Sequence, residues 1–239
     1  MNVILILILF ILLIIICKKH GVKLFLSLVY NFLILMVAFY TMSCGFNAIV
    51  VSLIACIFIA RVGLFYVNGK NLKTKSALKS LVIVLFILSL SIYSIVRTSR
   101  IAGFGIEAEE EINMFSYDIA LDFTKISTAL VLIGLIGACI DSSIAIASAL
   151  YELKENNKNI TFKELFASGL NIGKDILGTT MNTLLFAFLG EFMTLLLWFI
   201  TCSYSIGDII NAKEFVSEFI KIVYSAIGCI MVIPITAYI

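Results

Sequence analysis

The sequence has little charge, one proline and one histidine, and these scarcities exclude whole classes of protein. Charged residues make up 13% of the 239 positions, about half of the roughly 25% found in soluble globular domains. Most of the surface therefore cannot face water. The net charge of +2 is also too small to favour nucleic acid as a partner, since phosphate backbones bind dense clusters of Lys and Arg.

Cysteine occurs six times, but never in a CxxC motif. The cysteines are scattered singly, mostly inside apolar runs: Cys17, Cys44, Cys56, Cys139, Cys202 and Cys229. This pattern predicts small buried side chains rather than a disulfide framework or a metal site. We expect no metal and no cofactor.

What the sequence does have is long apolar runs. A helix needs on the order of 20 apolar residues to cross about 30 Å of hydrocarbon. Seven stretches reach or approach that length: residues 2–17, 24–42, 46–67, 78–96, 126–151, 177–200 and 217–238. None alternates with a period of two, so helices are favoured over a barrel. The predicted fold is an all-α, polytopic transmembrane bundle of about seven spans.

The first run differs from a signal peptide. Its positive charges, Lys18, Lys19 and Lys23, follow the apolar stretch, and no small-residue cleavage motif comes after it. We interpret it as a retained first span with the N-terminus outside. In that arrangement the inside segments hold eleven Lys and the outside segments five Lys or Arg. The positive-inside rule then predicts a membrane protein with the N-terminus out and the C-terminus in.

Three regions follow from these runs. Residues 1–97 hold four spans, residues 98–125 form an acidic extracytoplasmic connector, and residues 126–239 hold the last three spans. Within the connector, four apolar residues at helical spacing lie beside an acidic face: Ala108, Ile112, Phe115 and Ile119. They indicate an amphipathic helix in the outer interface, or alternatively a loose acidic loop. On the inner side, Thr161 and Glu164 have the spacing of a capping box at a helix start.

Asp141 is the most informative residue, because it lies near the middle of the fifth run. A carboxylate at that depth costs at least about 2.5–3.5 kcal/mol, so we expect it to face the bundle interior or a wet cavity. Two interpretations stay open: a group that handles a proton or cation, or a hydrogen bond that locks two helices together.

Small and polar residues accompany Asp141 in the fifth and sixth runs. Six predicted helix-contact positions are Gly134, Gly137, Ala138, Gly169, Gly173 and Gly178, since small residues let helices approach closely. Four hydroxyl or amide side chains complete the predicted ion-coupling or packing site: Ser142, Thr179, Asn182 and Thr183. We expect Asp141 to face Thr179 or Asn182.

Four further charges are assigned to membrane interfaces. Lys174 and Asp175 are expected where long side chains reach the headgroups. Arg61 either extends to the inner surface or pairs with a carboxylate, and Glu191 either reaches the outer surface or lines a vestibule. Enzymatic activity is not expected. Only one carboxylate is deep, whereas an intramembrane aspartyl protease needs two, and the sole histidine, His20, lies in a predicted loop.

From about Arg97 onward the chain resembles the YibE/F family of bacterial multi-pass membrane proteins. The resemblance is carried by Gly134-Leu-Ile-Gly137-Ala138 with Asp141, Ile146-Ala147-Ser148, Glu152, Ser168-Gly169, Ile172-Gly173-Lys174-Asp175-Ile176, Gly178-Thr179, Asn182-Thr183-Leu184, Ala187 and Gly190. Relatives often have Arg at the position of Lys174. The resemblance implies location and architecture but no substrate. Because some relatives are split into two proteins, it also implies a partner, either a second YibE/F-like subunit or a second copy.

The second half is also similar in pattern to the membrane half of SecF and RND-type exporters, in which a carboxylate serves proton-driven movement. This likeness is an analogy of order rather than a motif. The sequence thus favours a transporter-like or exporter subunit, coupled to a proton or cation through Asp141. The alternative is a non-transporting membrane scaffold that assists the assembly of partner proteins.

Overall fold

A computed structural model describes residues 2–103 and 122–239 of the chain. The amphipathic helix or loop predicted for the connector lies outside the described residues. Eight α-helices are described: α1 Asn2–Cys17, α2 Lys19–Ser43, α3 Ala48–Arg61, α4 Leu72–Ser99, α5 Phe123–Asn156, α6 Phe162–Thr201, α7 Ile206–Asn211 and α8 Lys213–Tyr238. These two segments contain no strand, and the predicted all-helical class is confirmed.

Six of the described helices are long and apolar enough to cross a membrane. They are α2, α3 together with the π-helical turn Val62–Tyr66 that continues it, α4, α5, α6 and α8. The remaining predicted span is the first run, which forms α1. It is apolar but has only 16 residues, which gives about 24 Å of helix at a rise of about 1.5 Å per residue. It is therefore shorter than the hydrocarbon layer.

Helix α1 folds back on α2 in a tight hairpin. The chain reverses at Lys18, whose φ is 50°, and the rings of Phe10 and Phe25 lie 4.7 Å apart between centroids. A Cβ at Gly21 would overlap the backbone carbonyl of Leu13. Only glycine permits the two helices to approach so closely directly after the turn.

The core is formed by α3, α4, α5 and α8. Leu85, Leu132 and Val232, from α4, α5 and α8, are at most 2% exposed and lie in one apolar cluster. A buried polar contact joins two of these helices: the Thr236 hydroxyl of α8 donates to the Ser80 hydroxyl of α4 at 2.7 Å. Such hydrogen bonds fix helix register where no water competes. Helix α5 contacts α3, α4, α6 and α8. The direction of each of its faces therefore determines which predicted site residues are buried.

The N-termini of α5 and α6 are set by side-chain caps. Asp122 accepts from the backbone N–H groups of Thr124 and Lys125, and a hydrogen bond from the Lys125 side chain, followed by these contacts, lowers the pKa of its carboxyl group. Thr161 and Glu164 form the predicted capping box, in which the Thr161 N–H donates to the Glu164 carboxylate at 2.9 Å. That part of the prediction is confirmed.

Helix α6 continues without a break for 40 residues, about 60 Å at the usual rise. The sequence predicted a span at 177–200 and a separate helix start near Phe162. The structure joins them into one helix: no proline interrupts the segment between them, and its two glycines, Gly169 and Gly173, are buried in helix contacts instead of ending the helix. Only 17% of the most apolar window of α6 is buried, against 50% for α5. Most of α6 is therefore open to lipid or to another subunit.

Candidate functional site

Asp141 lies deep within α5, far from any other charge of that helix. The nearest charged residues along α5 are Lys125, 16 residues before it, and Glu152, 11 residues after it. These separations correspond to about 24 Å and about 16 Å along the helix axis. The short Asp side chain cannot bridge either distance. Asp141 is therefore the only charged residue of α5 between Lys125 and Glu152.

Of the two predicted surroundings of Asp141, the interior of the bundle is wrong for the described chain: the side chain is exposed on its surface. Helix α5 turns its opposite face inward, where Leu132, Leu135 and Cys139 are at most 1% exposed. That face can fill the space between α3, α4 and α8 with apolar side chains. The face that carries Asp141 also carries Gly134 and Gly137, so it has few side-chain atoms that could pack there. Ser142, one residue on, is fully buried.

The predicted small-residue contacts divide into two groups. Gly169 and Gly173 are buried, and a Cβ at Gly169 would lie 3.1 Å from side-chain atoms of Ala237 and Leu150. By contrast, added Cβ atoms at Gly137 and Gly178 would meet nothing within 4 Å. Gly134 faces the aliphatic chain of Lys221, and Ala138 is half-buried. Thus Gly169 and Gly173 allow α6 to pack closely against α5 and α8. Gly137 and Gly178 contact no other described helix at the position of an added Cβ.

The contacts of these two buried glycines set the relative depth of α5 and α6. Gly169 lies beside Leu150 and Gly173 beside Ile146, so the helices run antiparallel, with equal steps along each. Continuing this register places Asp141 level with Gly178 and Thr179. Asp141 and Thr179 thus lie at a similar depth, and the expectation that Asp141 faces Thr179 or Asn182 stays a prediction. Within residues 2–103 and 122–239, however, Asp141 forms no hydrogen bond or ion pair.

The polar residues predicted on α6 form an exposed stripe at helical spacing. Thr179, Asn182 and Thr183 all lie on the surface. The Thr179 hydroxyl donates to the carbonyl of Ile176 at 2.9 Å, and the Thr183 hydroxyl donates to that of Thr179 at 3.1 Å. The hydroxyl groups are therefore satisfied by their own helix. The Asn182 amide has no hydrogen bond in the described part of the chain, so it can still bond to another molecule.

The four charges assigned to interfaces are all exposed: Arg61, Lys174, Asp175 and Glu191. The Lys174 ammonium donates to the Asn171 side-chain oxygen at 3.4 Å. In the register set by Gly169 and Gly173, Lys174 and Asp175 lie level with the apolar segment of α5 just before Ile146. They are thus closer to the depth of Asp141 than the sequence indicated.

A charged pair that the sequence did not reveal lies beside Gly134, on the face of α5 that carries Asp141. The Lys221 ammonium donates to both carboxylate oxygens of Glu218 at 2.6 and 2.7 Å, and the Lys221 chain packs over Gly134. Both side chains are 30% exposed. Their i, i+3 spacing within an apolar helix was the signal that could have revealed them, because opposite charges three apart meet on one face.

The contrast between the two kinds of glycine gives a direct test of the packing. A Cβ at Gly173 would overlap the Cγ2 of the buried Ile233. Overpacking costs about 1–3 kcal/mol, and the better helix propensity of Ala returns up to about 1 kcal/mol. We therefore expect Gly173→Ala to lower the free energy of unfolding by about 1–2 kcal/mol, seen as a lower Tm in detergent. Gly178→Ala is the matched control, and equal Tm values for the two variants would refute this packing.

Comparisons with known proteins identify a family but no characterised relative. The family model described as YibE/F-like protein matches residues 5–239, which extends beyond the resemblance noted from Arg97 onward. No curated protein and no solved structure matches the chain. Among the described residues, no group of three or more His, Cys, Asp or Glu side chains is placed to hold a metal ion.

Proposed function

The chain belongs to the YibE/F-like protein family, and we propose that this multi-span membrane protein is a subunit of an ion-coupled transporter or exporter. In this proposal Asp141 takes up and releases the coupling proton or cation. The polar stripe of α6, with Thr179 and Asn182, lines the same region. The substrate class is left open, because the chemistry of these residues concerns the coupling ion.

One observation carries the proposal: the carboxyl group of Asp141 is at mid-helix depth yet exposed on the single chain. Leaving a charged Asp in contact with hydrocarbon costs at least about 2.5–3.5 kcal/mol. Ionisable residues inside membranes accordingly face other helices or water, and they mark ion pathways. Since residues 2–103 and 122–239 leave Asp141 exposed, we propose that a second subunit or a water-filled space surrounds it.

We propose that the cover is another YibE/F-like chain, either a second copy or a different protein. Gly137 on α5 and Gly178 on α6 support this, since both have open space where a Cβ would stand. Glycine on an exposed helix face lets a second helix approach closely. Such a partner would complete an aqueous path bordered by Asp141, much as transporter sites form between repeated halves near the bilayer midplane.

Coupling in this arrangement follows from the surroundings of one carboxyl group. A carboxyl group in apolar surroundings favours its neutral form, whereas water or a nearby cation favours the charged form. A partner movement that alternately wets and dries Asp141 would therefore bind a proton on one side and release it on the other. Ion flux into proteoliposomes carrying Asp141→Asn tests this role.

A second function is favoured by the same open glycines. A membrane scaffold needs faces for partner helices but no ion path, and α6 is largely uncovered. In that case Asp141 would form a hydrogen bond to the partner helix rather than carry an ion. The two functions separate experimentally, because loss of Asp141 ionisation abolishes flux in a transporter and weakens partner recovery in a scaffold.

The orientation remains a proposal: a bacterial plasma-membrane location with the N-terminus out and the C-terminus in. Lysines from the start of α4 and the end of α5 gather at one end of the bundle, as the positive-inside rule requires of a cytoplasmic end. In a background whose six native cysteines are replaced by serine, a single Cys replacing Asn157, before α6, is expected to resist a membrane-impermeant maleimide on intact cells, whereas one replacing Ser203, after α6, is labelled. Permeabilised cells provide the control, and the opposite pattern would reverse the topology.

A further inference from the structure

A cavity of about 540 Å³ opens at the end of the bundle where α4 and α6 begin and α5 and α8 end. Its rim holds four lysines, Lys73, Lys75, Lys79 and Lys154. One carboxylate, Glu155, lines it as well. The side chains that line the cavity therefore carry three positive charges in excess.

The four ammonium groups have no carboxylate partner in the described part of the chain. Lys73 instead lies over the ring of Tyr151, 5.5 Å from its centroid. Positive charges around one concave surface repel each other and attract anions. The cavity therefore favours a negatively charged ligand.

The floor of the cavity distinguishes among anions. Apolar side chains of α5, α6 and α8 line it, including Leu150, Leu165 and Ala237. These residues belong to the apolar cluster that packs α6 against α5 and α8. A ligand that reaches both parts must be amphipathic, with an anionic group for the lysines and hydrocarbon for the floor. Basic pockets between transmembrane helices bind phospholipid headgroups in this way.

We propose that this cavity binds an anionic phospholipid, whose phosphodiester group is held by the four lysines and whose glycerol and upper acyl segments contact the apolar floor. Lys75 and Lys79 are exposed and follow each other at one helical turn on α4, so they reach the same phosphate from one side. Lys154 approaches from α5. The site is separate from Asp141, and it requires no transport activity.

The test measures lipid binding to the purified chain by native mass spectrometry in detergent. Phosphatidylglycerol is expected to remain bound where phosphatidylcholine is lost. The double variant Lys75→Gln, Lys79→Gln should raise the Kd for phosphatidylglycerol at least about tenfold, since half of the cationic rim is removed. The matched control is Lys158→Gln, Lys163→Gln, which removes two exposed lysines near the same end that do not line the cavity, and its Kd should stay within about twofold.

Three results would overturn the proposal. Equal binding of phosphatidylglycerol and phosphatidylcholine would exclude recognition of the negative charge. Equal weakening by both double variants would show general attraction to a basic surface rather than a site. Displacement of phosphatidylglycerol by low millimolar inorganic phosphate would identify free phosphate as the ligand. An unchanged Tm for the variants ensures that lost binding reports the cavity, and because no flux is measured, failure here leaves the role of Asp141 untouched.

Discussion

Asp141→Asn is expected to reduce ion-coupled flux to the level of protein-free vesicles. Asparagine keeps the size and hydrogen-bonding shape of the side chain but cannot bind or release a proton, so a coupling role is lost while packing is retained. The exposed position of Asp141 makes this test clean, because no buried contact of the chain depends on it. Reconstituted complex with a trapped pH dye, under imposed proton or sodium gradients, gives the measurement.

The matched control is Glu152→Gln on the same helix. Glu152 is also exposed but lies 11 residues closer to the end of α5, about 16 Å along the axis, where water reaches it. Its flux should stay within about twofold of wild type, since a solvated surface carboxylate contributes little. Wild-type flux in Asp141→Asn would remove the coupling role, and partner loss in this variant would favour the scaffold.

Leucine at Gly137 or Gly178 is expected to dissociate the complex while leaving the single chain folded. Both positions have open space around an added Cβ, so the monomer accepts the larger side chain. A partner helix packed against these glycines would be pushed outward and lose its close contacts. We expect at least about a tenfold loss of assembled complex, equivalent to about 1.4 kcal/mol or more of association free energy.

Gly190→Leu is the control for that experiment. Gly190 is equally open and lies on the same helix as Gly178, but 12 residues further along it is rotated by about 120° at the usual helical period. It therefore points about 120° away from Gly178, and it lies about 18 Å further along the helix axis, beyond the depth of Asp141. Mass photometry of the solubilised complex counts the subunits. Equal dissociation by all three variants would mean that an added leucine on any exposed face of α5 or α6 disturbs the complex, and no dissociation would place the partner elsewhere.

The apolar runs predicted the helices well, because only helices satisfy the backbone across a bilayer. Helical spacing also grouped Gly134, Gly137 and Asp141 correctly on one face of α5. It could not tell which face turns inward. That choice depends on the volumes that α3, α4 and α8 present to α5, and Leu132 and Leu135 fill that space better than a glycine stripe does. Within the single chain, the free-energy cost of leaving one carboxylate exposed is smaller than the packing free energy that the apolar face of α5 contributes along its whole length.

The glycines of α6 show a similar limit. Gly169, Gly173 and Gly178 look equivalent in the sequence, yet two are buried against α5 and α8 and the third faces outward. The difference arises from register, which is set by neighbours such as Ile233 that lie 60 residues later in the chain. The basic cavity lined by Lys73 and Lys154 could not be predicted from the sequence either, because it forms only where the ends of α4, α5, α6 and α8 meet.

A structure of the complex in lipid nanodiscs tests the central claim most directly. We predict that the carboxyl group of Asp141 borders a water-filled space that a second YibE/F-like chain closes from the side of Gly137 and Gly178. A carboxyl group found against acyl chains, or facing bulk solvent beyond the bilayer, would contradict this account.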